Sequence, residues 1–163
     1  MAFTREEIEA AFQRYQDAAN EAGRTGDWKP WVDCFVPDVE YVEHLYGTFT
    51  GRDAVQAWLM RQARALFTER LNHYAPQLRV QWRKLTLSSA GTLWGTAHSD
   101  GSIRLNWRLV HFRLPVIDYV VAHELSHLRV MDHSPRFWDT VRTVVPDYAE
   151  LRGQLKAHPI PAW

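Results

Sequence analysis

The 163-residue sequence lacks the features that mark secreted and membrane-spanning proteins. It contains a single cysteine, Cys34, which excludes an internal disulfide and with it the disulfide-rich secreted class. No apolar run approaches the roughly 18 residues that a membrane span requires, and the charged opening segment carries no apolar signal-peptide stretch. No linker rich in Pro, Gly or Ser and no internal repeat interrupts the chain. We therefore expect a folded protein with no membrane partner, located in the cytoplasm.

The chain also has no net charge, because 19 Lys and Arg balance 19 Asp and Glu. The two signs are unevenly distributed: residues 1–58 carry five basic and eleven acidic side chains, a net −6, whereas residues 59–163 carry fourteen and eight, a net +6. A division of this size suggests two segments of different origin. The basic segment leaves nucleic acid possible as a partner, but no nucleic-acid recognition motif supports it.

The spacing of apolar residues predicts a mainly helical chain with a small sheet in its middle. Helices are predicted over residues 5–22, 28–35, 52–74, 116–128 and 135–145. Strands are predicted over residues 39–45 and 80–87 and, as a hairpin, over 92–110. The long helix is expected to end before Pro76. Arg104, Asn106 and Arg108 alternate on one face of the last strand, where they would face solvent or contact an extended peptide.

The chemistry is carried by the string His123-Glu124-Leu125-Ser126-His127, an H-E-x-x-H pattern. Residues four apart on a helix lie one turn apart on the same face, so His123 and His127 can reach one metal ion with Glu124 beside it. His133, six residues further on, is a candidate third ligand. This helix is apolar nearly all round, and buried glutamate and histidine are costly unless they are paired or bind a metal. The alternative is that these histidines are ordinary packed residues.

Three imidazoles would leave one position of a tetrahedral zinc ion open for water, as catalytic sites do, whereas structural zinc sites are closed and usually rich in cysteine. Zinc would lower the pKa of that water to about 7, and Glu124 would take its proton during attack and pass it to the leaving amine. The sequence therefore predicts zinc-dependent hydrolysis of peptide or protein substrates. Tyr119, Tyr148 and His111 are candidate donors to the oxyanion, each with ordinary packing as its alternative.

The stretch from about residue 66 to 163 resembles the YgjP-like zinc metallopeptidases, relatives of the SprT-like group. The resemblance is carried, in family order, by residues 101–107, 116–128 and 133–138. It implies an α+β zincin-type core made of a helix, a small antiparallel sheet, the H-E-x-x-H helix and a C-terminal helix. It also implies that His123, His127 and His133 are the metal ligands and that Glu124 is the catalytic acid/base.

Residues 1–60 resemble the start of a SnoaL-like domain of the nuclear transport factor two superfamily, a cone-shaped α+β fold. The resemblance is carried by residues 12–15, 26–28, 31–35, 41–44 and 47–52. It implies a chimeric chain, with an incomplete SnoaL-like fragment over residues 1–60 and a YgjP-like metallopeptidase domain over residues 61–163. Tyr41 and His44 would line the pocket of a complete cone, but in an incomplete sheet they are expected to pack as ordinary strand residues.

Two alternatives to an active peptidase stay open. The chain would bind zinc but be catalytically weak or inactive if substrate contacts were lost with the replaced N-terminal segment. Leu93 is a second reason to expect weak activity, because it stands where the family usually has an arginine and provides no guanidinium donors. The other alternative is small-molecule binding through the SnoaL-like fragment, which the missing strands disfavour.

Overall fold

The computed structural model describes residues 4–25, 29–35, 38–43 and 47–157. The chain forms two compact units, and the boundary between them in the sequence lies after Ala57. We call them the N-terminal unit and the C-terminal unit. Among the helices of the described residues, none has the length and apolarity that crossing a membrane would require.

The N-terminal unit begins with a long and a short helix, followed by an antiparallel hairpin. Its elements are α1 (Arg5–Thr25), α2 (Lys29–Val32), β1 (Glu40–Glu43) and β2 (Gly47–Thr50). Trp31 is buried between Phe35 and Tyr15, with ring centroids 4.7 and 5.8 Å from its own. Both predicted helices are therefore present. Of the residues considered for a pocket, His44 and the side chain of Tyr41 lie outside the described part of the chain.

The long helix α3 (Arg52–Leu78) continues past Pro76, so the prediction that it ends before this proline is wrong. Pro76 lies in the last turn, where it removes a single backbone hydrogen bond. The helix then closes in a Schellman motif, in which the N–H groups of Arg79 and Val80 donate to the carbonyls of Pro76 and Ala75 at 3.1 and 3.0 Å. Arg79 adopts the left-handed conformation this motif needs, with φ 54°.

A three-stranded mixed sheet follows α3. It consists of β3 (Lys84–Ser88), β4 (Gly95–Ala97) and β5 (Ser102–Asn106) in the order β3-β5-β4. The β4–β5 hairpin is antiparallel as predicted, but β3 pairs parallel to β5. The prediction of a small antiparallel sheet is therefore wrong. The chain reverses direction twice between β3 and β5, so these strands run the same way, and β5 takes the central position.

Strand β5 ends earlier than predicted, because Asn106 caps a 3-10 helix over Trp107–His111. The side-chain oxygen of Asn106 accepts a hydrogen bond from the Arg108 backbone N–H at 3.1 Å. Asn106 and Arg108 are both buried, and both side chains donate to carbonyls of the loop that precedes β4. The predicted solvated face is thus wrong for these two residues, and of the three only Arg104 is exposed.

Three helices complete the C-terminal unit: α4 (Leu114–His127), α5 (Pro135–Arg142) and α6 (Tyr148–Ala157). Within α4, every residue from 116 to 127 is buried except Asp118 and His123, which are half-buried. The helix predicted after residue 115 is therefore present and surrounded by protein, in a mixed α+β fold. Helix α6 is not predicted from the sequence, where its pattern of apolar residues is weak. In the structure Leu151 is its one buried residue among those described.

A bidentate ion pair joins α3 to α4. Arg70 donates from Nε to Asp118 Oδ1 at 2.6 Å and from Nη2 to Oδ2 at 3.0 Å, and both side chains are only 14% exposed. The Arg70 guanidinium also lies 5.3 Å from the ring centroid of Tyr74. Because a bidentate pair restrains both distance and orientation, it fixes α4 against α3 five residues before His123.

We expect Asp118→Asn to lower the free energy of unfolding by about 2–4 kcal/mol, because it removes the largely buried carboxylate partner of Arg70 and leaves only the exposed Glu69, 3.5 Å from the guanidinium. The matched control is Asp139→Asn, which breaks an exposed pair with Arg142 (2.8 Å; side chains 68% and 55% exposed) and should cost less than about 1 kcal/mol. Urea denaturation with a chelator present compares the two variants without a contribution from bound metal. Equal losses in both variants would contradict a structural role for the Arg70–Asp118 pair.

Candidate metal centre

Three histidines converge at the C-terminal end of α4. His123 and His127 lie one turn apart on this helix, and His133 stands shortly before α5. Each offers one ring nitrogen, and the three nitrogens all lie within 4.8 Å of one another. The Nε2 atoms of His123 and His133 are 3.1 Å apart. The structure therefore brings together all three residues that the sequence analysis predicted as ligands.

The turn after α4 directs His127 and His133 towards the cluster. The backbone N–H groups of Arg129 and Val130 both donate to the carbonyl of Ser126, which closes the end of the helix. The Val130 carbonyl in turn lies 3.2 Å from His127 Nδ1. A hydrogen bond there places the proton on Nδ1 and leaves the lone pair of Nε2 free to bind a metal, the usual arrangement of a metal-binding histidine. His123 Nδ1 is buried and has no hydrogen-bond partner among the described residues.

Phe137 forms the apolar floor of the cluster. Its ring is fully buried, with its centroid 4.4 Å from that of His127 and 4.8 Å from those of His123 and His133. Trp138 lies against the same histidines, 5.6 Å from His133 and 5.7 Å from His123. These two neighbours on α5 restrict the orientations of all three imidazoles, so the site is preorganised by packing.

The donor set fits a metal ion. Zn–N bonds of 2.0–2.1 Å in a tetrahedron place two ligand nitrogens about 3.3 Å apart, close to the 3.1 Å between His123 and His133. Burial, with smaller contributions from the charges of His127, His133 and Arg152, lowers the pKa of His123 to about 3. Burial is also the main cause that lowers the pKa of His127. Both imidazoles are therefore held in the neutral form that coordinates metals.

Glu124 is buried beside the histidines, against the strand β4. Burial raises the pKa of its carboxyl group to about 8. Its side chain lies directly on Gly95: a Cβ atom added at that residue would be 2.5 Å from Glu124 Oε1 and 2.7 Å from its Cγ. Only glycine leaves room for the carboxylate at this position. The sequence alone does not reveal this contact, because it joins residues 29 positions apart.

Of the three candidate oxyanion donors, Tyr119 lies next to the histidine cluster. Its ring centroid is 5.8 Å from that of His123, and burial raises the pKa of its hydroxyl to about 12. Tyr148 stacks on Trp138 at 5.2 Å. His111 lies beside Trp107 in the 3-10 helix, where burial and then the charge of Arg108 lower its pKa to about 4.

Comparisons with known proteins identify a family and a similar fold. A family model described as the YgjP-like metallopeptidase domain matches residues 36–158. The crystal structure of the metallopeptidase zymogen of Pyrococcus abyssi abylysin is similar in fold, with 22% sequence identity and a TM-score of 0.51. That similarity covers 55% of this chain and 90% of the abylysin chain. No curated protein matches the sequence.

The family match begins at residue 36 and so includes part of the segment that the sequence analysis compared with a SnoaL-like domain. No comparison matches a SnoaL-like domain, and that resemblance stays a prediction. The same match spans most of the chain and contains the His123, His127 and His133 cluster, which suggests a site for a metal ion. The chain therefore belongs to the YgjP-like metallopeptidase family, a family of peptidases that act on peptide or protein substrates.

Proposed function

We propose that the chain is a zinc-dependent peptidase in which His123, His127 and His133 hold the ion and Glu124 is the general base. The observation that carries this proposal is the convergence of three imidazole nitrogens at the end of the helix that also carries the buried Glu124. Zinc is favoured because three nitrogen ligands with one open position are its usual catalytic environment, whereas magnesium and calcium prefer oxygen ligands.

In this proposal Glu124 and Tyr119 have separate roles in the reaction. A zinc ion would polarise the peptide carbonyl and lower the pKa of water to about 7. The positive charge of the ion would favour the ionised form of Glu124 against the effect of burial. The ionised Glu124 takes a proton from the attacking water as the water oxygen bonds to the carbonyl carbon, and it delivers that proton to the amine nitrogen as the C–N bond breaks. Tyr119 keeps its proton at neutral pH, so its hydroxyl can donate to the carbonyl oxygen as negative charge develops there.

The other sequence-based hypotheses remain predictions with their own consequences. One of them is that the chain binds zinc but does not hydrolyse peptides, for which Leu93 is one reason. Leu93 is 54% exposed. The division into residues 1–60 and 61–163, the chimeric origin, the binding of a small molecule by the first segment, a nucleic-acid partner and the cytoplasmic location also stay predictions.

Metal binding is tested by His133→Ala. This substitution removes one of the three converging nitrogens, so we expect the protein to lose stoichiometric zinc during dialysis while the unsubstituted chain retains it. The matched control is His98→Ala, an exposed histidine next to the β4–β5 turn, which should leave the zinc content unchanged. Elemental analysis of the dialysed proteins provides the measurement. Equal zinc in both variants would show that His133 is not a ligand.

Catalysis by Glu124 is tested by Glu124→Gln, which preserves the shape of the side chain but removes its basicity. We expect kcat for a fluorogenic peptide pool to fall about 10²- to 10⁴-fold with zinc content unchanged. Glu6→Gln, the same change at an exposed residue of α1, is the control and should have no effect. Unchanged hydrolysis by Glu124→Gln would exclude this mechanism, and zinc-loaded wild-type protein without any hydrolysis would favour the inactive alternative.

The contact between Glu124 and Gly95 leads to a further prediction. In Gly95→Ala the added methyl group must displace the carboxylate, so we expect kcat to fall about 100-fold, the effect of a misplacement of about 1 Å. Gly91→Ala is the matched control, because a Cβ there meets nothing within 4 Å. Zinc content and melting temperature are measured in parallel. If Gly95→Ala retained full activity with bound zinc, the position assigned to Glu124 would be wrong.

A further inference from the structure

Arg152 on α6 lies one aromatic ring away from the histidine cluster. Its guanidinium carbon is 4.8 Å from the ring centroid of Trp138, and that ring lies 5.6 and 5.7 Å from the rings of His133 and His123. Trp138 is also stacked on Tyr148 at 5.2 Å. The guanidinium is thus held at the edge of the candidate site by an interaction with an aromatic side chain whose own position is fixed.

The charge of Arg152 is not neutralised within the described part of the chain. The side chain is exposed, and no ion pair or hydrogen bond joins it to another described residue. Arg142, which lies over the neighbouring Tyr148 ring at 5.6 Å, differs in this respect because it pairs with Asp139. A guanidinium offers five donors in a planar fork, and a carboxylate matches this fork with two parallel hydrogen bonds.

The electrostatic effect of Arg152 reaches the centre of the site. After burial and the two other histidines, its charge contributes to lowering the pKa of His123. It also opposes the rise in the pKa of Tyr119 that burial causes. These effects agree with the contacts through Trp138, which are what place the guanidinium near the histidines.

We propose that Arg152 binds a carboxylate group of the substrate, so that the peptidase prefers peptides with a negative charge near the cleaved bond. This inference rests on the proposed peptidase function. An extended peptide spans about 3.3–3.6 Å per residue, so the distances through Trp138 place the guanidinium within about three residues of the histidines. The carboxylate is either the free C-terminus of a short peptide or the side chain of an Asp or Glu.

The alternative is that Arg152 only covers Trp138 and supports its packing. That role depends on the stacking of the guanidinium on Trp138 and not on the charge of the substrate. Loss of the stacking would therefore change the binding of acidic and neutral peptides equally. Arg152→Gln removes the charge, and Arg152→Lys keeps the charge but loses the bidentate fork. A substrate-binding role therefore predicts that selectivity changes in the order wild type, Lys, Gln, with zinc content unaffected.

The first measurement uses binding, which does not require turnover. Zinc-loaded Glu124→Gln protein is titrated with a pool of N-acetylated tetrapeptides that carry either a free C-terminal carboxylate or a C-terminal amide. A second pair of amidated pools differs only by Asp and Glu in place of Asn and Gln. We expect one of the two negatively charged pools to bind about 10- to 100-fold more tightly than its neutral partner, and the pair that shows the difference identifies the source of the carboxylate.

Adding Arg152→Gln to the Glu124→Gln protein should abolish this difference, whereas adding Arg142→Gln should preserve it. Equal binding of charged and neutral pools by the starting protein, or a difference that survives Arg152→Gln, would overturn the inference. A parallel measurement of kcat/KM on the same pools with wild-type protein separates the two proposals. Hydrolysis without charge preference would exclude the role of Arg152 alone, whereas charge-selective binding without hydrolysis would exclude the peptidase function and leave the carboxylate site standing.

Discussion

The burial of polar groups on α4 is the constraint on which the rest of the C-terminal unit depends. Along this apolar helix, Glu124 and His127 are buried and His123 is half-buried, although a carboxylate or an imidazolium in such surroundings is strongly disfavoured. The cost appears in the pKa values, which burial raises for Glu124 and lowers for His123. A bound metal ion would resolve this conflict, because metal ions bind neutral imidazoles and attract carboxylates.

The neighbouring elements hold these polar groups in one arrangement. The ring of Phe137 packs against all three imidazoles, and Gly95 provides the space that the Glu124 side chain occupies. At the other end of α4, the Arg70–Asp118 pair fixes the helix to α3. Each of these contacts comes from a different element, so the site depends on the packing of the whole unit around one helix. This explains why a polar group placed by local sequence still requires a complete fold.

Sequence reasoning succeeds where the determinants are local. The spacing of His123 and His127 fixes their shared helix face, and the short turn to His133 keeps the third histidine within reach, so the cluster could be predicted without any tertiary information. It fails where remote residues decide the outcome. Asn106 and Arg108 are buried because a distant loop offers them carbonyl acceptors. The parallel pairing of β3 with β5 is likewise a property of the chain path. Pro76 is a different case, because the helix ends only two residues beyond it and the proline costs a single backbone hydrogen bond there.

Charge is distributed unevenly along the whole chain and also among the arginines of its basic segment. The net charge of zero is the sum of an acidic and a basic segment and describes neither of them. Within the basic segment, Arg70 pairs with Asp118, Arg142 pairs with Asp139, and the buried Arg108 donates to a backbone carbonyl. A paired arginine contributes little field to an approaching substrate, whereas an exposed and unneutralised one beside the site contributes its full charge. The preference that we propose for negatively charged substrates therefore depends on the position of Arg152 beside Trp138, and not on the excess of basic residues in the segment.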